Sequence, residues 1–336
     1  MSDKLPSVLL ATPYYADIDI PLKRNLQFLG FEVIDIVADN SQFQYESWHQ
    51  HASIKFKKIF LQDKFAKDKA RDIYLTKKYL NKLDGYQKID YALFIRPDLF
   101  SNEFIEAVKQ KVVHTICAYQ WDGMDRFPEV WRTVDLFDKF FVFDKNDLAK
   151  SPQLMLTNNF YFDYNLDKSE RISNNAYFLG AHVDGREQVI NRFAEYALTR
   201  NIKVDISILD IKQKHLDKFR KIYPFKNIEL SDEVLSFEQN LARCKQSSVL
   251  LDFKAPVHNG LSFRPFEALG YGKKLITTNT AILNYDFYHP NNILVWDGQD
   301  FEIIDIFLKK PYHPLPENII KKYAFSYWIQ SIFTMS

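Results

Sequence analysis

The stretch "HNGLSFRPFEALGYGKKLITTN" (residues 258–279) joins a polar loop, a short helix and an apolar run. Another apolar run, "SVLLDF" (248–253), comes directly before it. Strand, glycine-containing loop, helix and strand form the repeating unit of a parallel sheet covered by helices. In such sheets ligands bind beyond the carboxyl ends of the strands, and the loop 254–262 stands at one. The helix is expected to begin near Phe263. Its first turn offers unpaired backbone N–H groups and the positive end of the helix dipole, which suit a diphosphate. Arg264 adds a forked cation there, and Glu267 lies on the same face one turn later. An arginine at a helix N-terminus opposes the dipole unless an anion is bound. A carboxylate at Glu267 can accept from two vicinal ribose hydroxyls. The alternative is an ordinary ion pair on a helix surface.

The rest of the chain repeats this alternation. Apolar runs at 7–12, 31–37, 89–95, 112–119 and 139–144 read as strands of a first half. The runs at 175–181, 203–209, 227–230, 248–253, 274–279 and 292–296 read as strands of a second. Helical patterns lie between them, for example at 21–29, 102–110 and 186–199. A polar, irregular segment rich in Asn, Asp and Ser separates the halves. The expected class is α/β, with two Rossmann-like domains facing a cleft. The first occupies 1–160, a linker 161–175, the second 176–315, and a C-terminal helix in 316–336 crosses back to the first domain. With 336 residues, two cores of ordinary size are expected.

Composition narrows the function. A net charge of +1 argues against a dedicated nucleic-acid binder, so no nucleic-acid partner is expected. Cys117 and Cys244 lie far apart in apolar surroundings and read as two reduced, buried thiols. The first domain lacks G-x-G-x-x-G after its first strand, which disfavours a dinucleotide-dependent dehydrogenase, and there is no P-loop signature. No set of His, Cys and carboxylates has metal-ligand spacing, so neither metal nor cofactor is expected. Asp17-Ile18-Asp19 is formally D-x-D, but it follows the first strand. The N-terminus has no apolar signal core, and no window reaches the roughly 18 apolar residues of a membrane span. The expected location is the cytoplasm, with attachment to the inner face of the cytoplasmic membrane as an option. Residues 55–88 hold eleven Lys/Arg against four Asp, interleaved with apolar residues. That pattern suits an anionic lipid surface or an anionic acceptor, or else a solvated helix.

"FEALGYGKKLITTN" (266–279) resembles the C-terminal-domain segment of GT-B glycosyltransferases, in which a helix bearing Glu-Ala is followed by glycine and a strand. The similarity is nearest to bacterial CgeB-like and lipopolysaccharide-biosynthesis enzymes, which carry Arg-x-Phe-Glu where this chain has Arg264 to Glu267. "YFLGAHVDGREQVINRFAEYA" (177–197) is similar to the opening of the second GT-B domain. "AYQWDG" (118–123) and "DLFDKFFVFDKNDL" (135–148) are similar to the end of the first. The resemblance implies a metal-independent transferase that moves a sugar from a nucleotide-sugar, its co-substrate, to a hydroxyl of a bacterial surface glycan or glycolipid. It places donor binding on Lys254, His258, Asn259, Gly260, Leu261, Ser262, Arg264, Glu267, Gly180 and His182. Retaining relatives use an E-x₇-E motif. Glu267 matches its second glutamate, while Asn259 stands where the first would be, which leaves the stereochemical outcome open.

On the acceptor side, "RPDLF" and "QWDGMDR" each follow a strand of the first domain and supply Arg96, Asp98, Asp122 and Arg126. Asp122 is the first candidate for a general base and Asp17 the second. Each of these also fits a plain loop residue, Pro97-Asp98 being a common turn pair. A nucleotide-sugar epimerase and a non-catalytic partner subunit on the same fold are the competing readings.

Overall fold

The computed structural model describes residues 5–164, 173–256 and 259–334. Six strands form the first sheet: β1 (Ser7–Pro13), β2 (Glu32–Ala38), β3 (Ile89–Ile95), β4 (Val112–Gln120), β5 (Lys139–Val142) and β6 (Leu154–Leu156). The order is β2-β1-β3-β4-β5-β6, and every pairing is parallel. The second sheet contains β7 (Ser173–Ala181), β8 (Lys203–Leu209), β9 (Ile228–Leu230), β10 (Ser247–Asp252), β11 (Lys274–Thr277) and β12 (Ile293–Val295). Its order is β12-β11-β10-β7-β8-β9, again parallel throughout. The chain therefore reverses direction across each sheet between β1 and β3 and between β7 and β10. Those are the two places where an open α/β sheet forms a crevice.

Helices cover both sheets. They are α1 (Asp19–Phe28), α2 (Trp48–Phe60), α3 (Ala66–Leu83), α4 (Asn102–Lys109), α5 (Glu187–Thr199), α6 (Leu216–Ile222), α7 (Phe237–Gln246), α8 (Phe263–Gly270), α9 (Glu302–Lys309), α10 (Glu317–Lys321) and α11 (Phe325–Thr334). Strands buried on both faces carry continuous apolar runs. β1, for example, is buried along its whole length. Both cysteines are free and buried. Burial, against the opposing charge of Lys139, pushes the Cys117 thiol up to about 12.

The C-terminal segment crosses between domains as expected. Tyr323 and Ala324 pack in the second domain, while Phe325, Trp328, Ile329, Ile332 and Phe333 of α11 pack against the first sheet with Val8, Leu10 and Leu93. Burying a side chain of this size is worth about 1.5–3 kcal/mol relative to exposure, so α11 is firmly held. The other crossing runs alongside it. Tyr161 N–H donates to the Tyr323 carbonyl at 3.1 Å, and Phe325 N–H donates to the Tyr161 carbonyl at 2.9 Å. Trp328 Nε1 donates to Thr157 Oγ1 at 2.9 Å. Most of the expected linker, residues 165–172, lies outside the described residues. No helix among the described residues is long and apolar enough to cross a membrane.

The end of α8 meets this crossing so closely that only glycine fits. A Cβ on Gly270 would stand 2.2 Å from Cγ of Tyr161. Gly270→Ala should therefore cost about 1–3 kcal/mol of overpacking, read as a lowered denaturation midpoint. An unchanged midpoint would mean that the crossing yields freely.

Candidate functional site

The carboxyl ends of β7 and β10 open into a cleft of about 330 Å³. From the second domain it is lined by Phe178, Arg186, Asn240, Asp252, Lys254, Gly260, Ser262, Arg264 and Glu267, and from the first by Tyr15. Local bonding fixes its floor. Asp252, buried at the end of β10, accepts from Ser262 Oγ and Thr277 Oγ1, each at 2.8 Å. Ser262 in turn caps α8 by accepting from the Arg264 N–H at 3.2 Å. A side-chain oxygen at this position satisfies one of the free donors of the first turn.

The loop before α8 is held by both domains. Asn259 N–H donates to Asp144 Oδ2 at 2.7 Å, and Asn159 Nδ2 donates to the Leu261 carbonyl at 2.9 Å. Lys254 Nζ donates to Asn259 Oδ1 at 2.7 Å. Gly260 lies directly on Phe143, and a Cβ there would fall 2.4 Å from the ring. His258 lies outside the described residues.

Arg264 and Glu267 form an ion pair at 2.7 Å, but not on a surface: their side chains are 11% and 3% exposed. Arg264 also donates to Asn240 Oδ1 at 3.1 Å, contacts Cys244 Sγ, and stacks over Tyr177 at 5.1 Å. Burial raises the Cys244 thiol well above its ordinary value, and Glu267 raises it further against the effect of Arg264. The guanidinium is thus committed to the wall of the cleft. The alternative of an ordinary ion pair on a helix surface does not hold, because Tyr177 of β7 and Asn240 and Cys244 of α7 close over it.

Arg186 is different. It precedes α5, lies over Phe178 at 5.4 Å and donates through one terminal nitrogen to the Ala181 carbonyl. Its Nε is buried without a partner, and it makes no ion pair among the described residues. Burial pulls its proton affinity below the ordinary arginine value. A cation in this condition gains from any anion entering the cleft. Arg186 is not among the candidates read from the sequence. The signal was there, in "LGAHVDGREQ". Gly180 sits beneath it, where a Cβ would be 3.0 Å from the guanidinium. His182 turns onto its own domain, with Tyr223 Oη at 2.9 Å from Nδ1 and Asp184 Oδ1 at 3.0 Å from Nε2.

The acceptor-side candidates form a second group beyond β3 and β4. Arg96 has left-handed backbone at φ +58° and is bidentate to Asp98 at 2.8 and 2.7 Å. It also donates to Asp122 Oδ2 at 3.2 Å and stacks on Phe127 at 3.5 Å. Arg126 takes the other Asp122 oxygen at 2.7 Å. Asp17 lies in the turn after β1, also left-handed at φ +54° and half-exposed. Its neighbour Ala16 accepts from the Phe237 N–H at the start of α7, across the cleft. Among the described residues no three or more His, Cys, Asp or Glu side chains converge as metal ligands.

No protein-family description and no curated protein matches the chain. Solved structures do. One is an α-glucosyltransferase in complex with UDP-glucose and DNA containing an abasic site, at TM-score 0.62 and 11% identity over 97% of this chain and 98% of that one. Another, described as trehalose-6-phosphate from E. coli bound with UDP-2-fluoro glucose, aligns at TM-score 0.55 and 10% identity over 98% and 99%. A putative UDP-N-acetylglucosamine 2-epimerase from Listeria monocytogenes aligns at 0.50 and 12% over 99% and 97%. At these identities the likeness is one of fold. It also corrects the exclusion of nucleic acid drawn from net charge, since a protein of this fold is found with DNA bound. Net charge averages over two domains and says little about one face.

The buried ion pair has a measurable signature. Arg264→Met leaves the Glu267 carboxylate buried without its partner, at a cost of about 3–5 kcal/mol. The double variant Arg264→Met/Glu267→Met should recover much of that loss. Additive losses in chemical denaturation would show that the two side chains act independently.

The two parallel α/β sheets, the helices on both faces, the cleft between them and the returning C-terminal helix together give this chain the GT-B fold.

Proposed function

We propose that the protein is a glycosyltransferase whose second domain binds a nucleoside-diphosphate sugar. The observation that carries this reading is Arg186, a half-buried guanidinium whose Nε is buried without a partner and which makes no ion pair among the described residues, lining a cleft at the crevice of the second sheet. The diphosphate would lie between Arg186 and the N-terminus of α8, and the ribose would approach Glu267. In the reaction the bond from the sugar's anomeric carbon to the diphosphate oxygen breaks as the acceptor oxygen bonds to that carbon. Charge grows on the departing diphosphate. Arg186 and the backbone N–H groups of α8 would stabilise it without reorganising. Arg264 supports this site by fixing Glu267 rather than by meeting phosphate itself.

The acceptor proton needs a base. Both Asp122 oxygens already accept from guanidinium groups, so the base we favour is Asp17, two residues after cleft-lining Tyr15. Asp122, Arg96, Asp98 and Arg126 then shape the acceptor side. The acceptor we favour is a hydroxyl of a bacterial surface glycan or glycolipid, as the CgeB-like and lipopolysaccharide-type resemblance implies, with the protein working at the inner membrane face. A nucleic-acid acceptor is the second reading, favoured by the fold shared with a DNA-bound α-glucosyltransferase.

Incubation with a panel of nucleotide-sugars separates the reaction classes. Slow release of free sugar supports a transferase, an altered sugar an epimerase, and no turnover a non-catalytic subunit. Because fixed cations and helix ends supply the charge, turnover should persist in EDTA. Loss restored by magnesium or manganese would contradict this.

Arg186→Ala should weaken nucleoside diphosphate binding by roughly tenfold to a hundredfold, the worth of one or two charge-assisted hydrogen bonds. Binding of the nucleoside alone should change little. Calorimetry that finds equal losses for both, or none, would remove Arg186 from the diphosphate site.

A further inference from the structure

Helix α2 is amphipathic with its apolar side turned outward. Its one buried side chain is Ile54, and the helix packs against α3. At about 100° per residue, Trp48, Ala52, Phe56, Ile59 and Phe60 fall within an arc of about 120° on the opposite side. Trp48, Ile59, Phe60, and Leu61 and Phe65 in the following turn are each 60–73% exposed. Phe56 and Phe60 stack on each other at 4.7 Å rather than on the domain. Lys55 and Lys57 flank the apolar arc, exposed Lys58 projects from the side nearer Ile54, Lys64 follows in the turn, and α2 contains no acidic residue. None of these four lysines forms an ion pair among the described residues.

The structure divides the basic segment 55–88 in two. Four of the five lysines of α3 are engaged: Lys69 pairs with Asp63 at 3.2 Å, Lys78 donates to Gln42 Oε1 at 2.6 Å, Lys82 donates to the Asp35 carbonyl at 2.6 Å, and Lys77 faces Glu46 at 3.9 Å. Four lysines without an ion pair among the described residues stand beside the bare apolar face of α2 and the turn after it. Thr76 of α3 is bonded at 2.9 Å to Ser101, just beyond the carboxyl end of β3. The N-terminal part of α3, and with it the turn after α2, therefore lies toward the carboxyl edge of the first sheet, the edge from which Tyr15, Trp121 and Phe143 reach the second domain.

We infer that α2 and its following turn dock the protein on an anionic lipid surface. The apolar arc enters the acyl boundary, and Lys55, Lys57, Lys58 and Lys64 lie among the headgroups. Aromatic side chains alone would also suit a nucleic acid, on which bases stack. The aliphatic Ile59 and Leu61 offer no stacking face, whereas an acyl boundary accepts them. The inference rests on the membrane part of the proposed function and is independent of its donor chemistry. It holds the acceptor edge of the first domain against the surface where a glycolipid hydroxyl would be presented.

The full chain should sediment with vesicles of phosphatidylcholine and phosphatidylglycerol in equal parts, and not with phosphatidylcholine alone. Added salt should weaken binding. Lys55→Gln/Lys57→Gln/Lys58→Gln should weaken it by about a hundredfold, at roughly a factor of five per lysine. Phe56→Ser/Phe60→Ser should abolish it. Brominated acyl chains should quench fluorescence in the wild type and not in Trp48→Phe, a readout that mere misfolding does not produce. UDP binding by the same variants checks that each is folded, and its absence from the wild type would sink the donor site while leaving this result standing. Failure to bind anionic vesicles would overturn the inference. So would vesicle binding unchanged in the lysine and phenylalanine variants. An oligonucleotide bound through Lys55, Lys57 and Lys58 without vesicle binding would assign the face to nucleic acid. A dimer in light scattering that Phe56→Ser/Phe60→Ser dissolves would assign it to a second copy of this chain.

Discussion

The seating of Gly260 on Phe143 determines the rest of the cleft. A Cβ at this position would collide with the ring, so the loop can lie flat only on glycine. Once flat, it gives the Asn259 N–H to Asp144 and the Leu261 carbonyl to Asn159, both in the first domain. Ser262 is then in reach of Asp252 and caps α8. This series of bonds aims the free end of α8 into the space between the sheets. The loop belongs to the second domain in sequence but is bonded to the first, so the donor wall and the domain contact are one piece of structure. A change in domain spacing would move that wall.

Two arginines in the cleft do different work because their partners differ. Arg264 faces Glu267, Asn240 and Cys244 within a closed wall, where an ion pair is strong only while both members are present. Arg186 has carbonyl and ring contacts but no carboxylate among the described residues. An anion would therefore be drawn to Arg186, while Arg264 keeps the carboxylate below it in place. The same principle separates Asp122, held by two arginines, from Asp17, which sits in a turn beside the opening.

Much of the fold was legible because parallel strands buried on both faces leave unbroken apolar runs, such as 89–95 and 248–253. β6 was not, since Leu154–Leu156 is a three-residue edge strand with no pattern of its own. The i,i+3 spacing of Arg264 and Glu267 announced their contact. Their burial was not legible, because it comes from Tyr177, Asn240 and Cys244, far away in the chain. Arg186 was visible as the start of a helix, but its lack of a partner is a fact of three dimensions. In α2 the periodicity of Trp48, Phe56, Ile59 and Phe60 marks one apolar face. Only the packing of Ile54 on the opposite side reveals that this face is turned outward.

The central claim is that the crevice of the second sheet holds a diphosphate between Arg186 and the start of α8. A crystal structure of the protein soaked with UDP tests it most directly. The account predicts phosphate oxygens against the Arg186 guanidinium and the first N–H groups of α8, with the ribose hydroxyls at Glu267. UDP bound elsewhere, or a diphosphate held without Arg186, would contradict it.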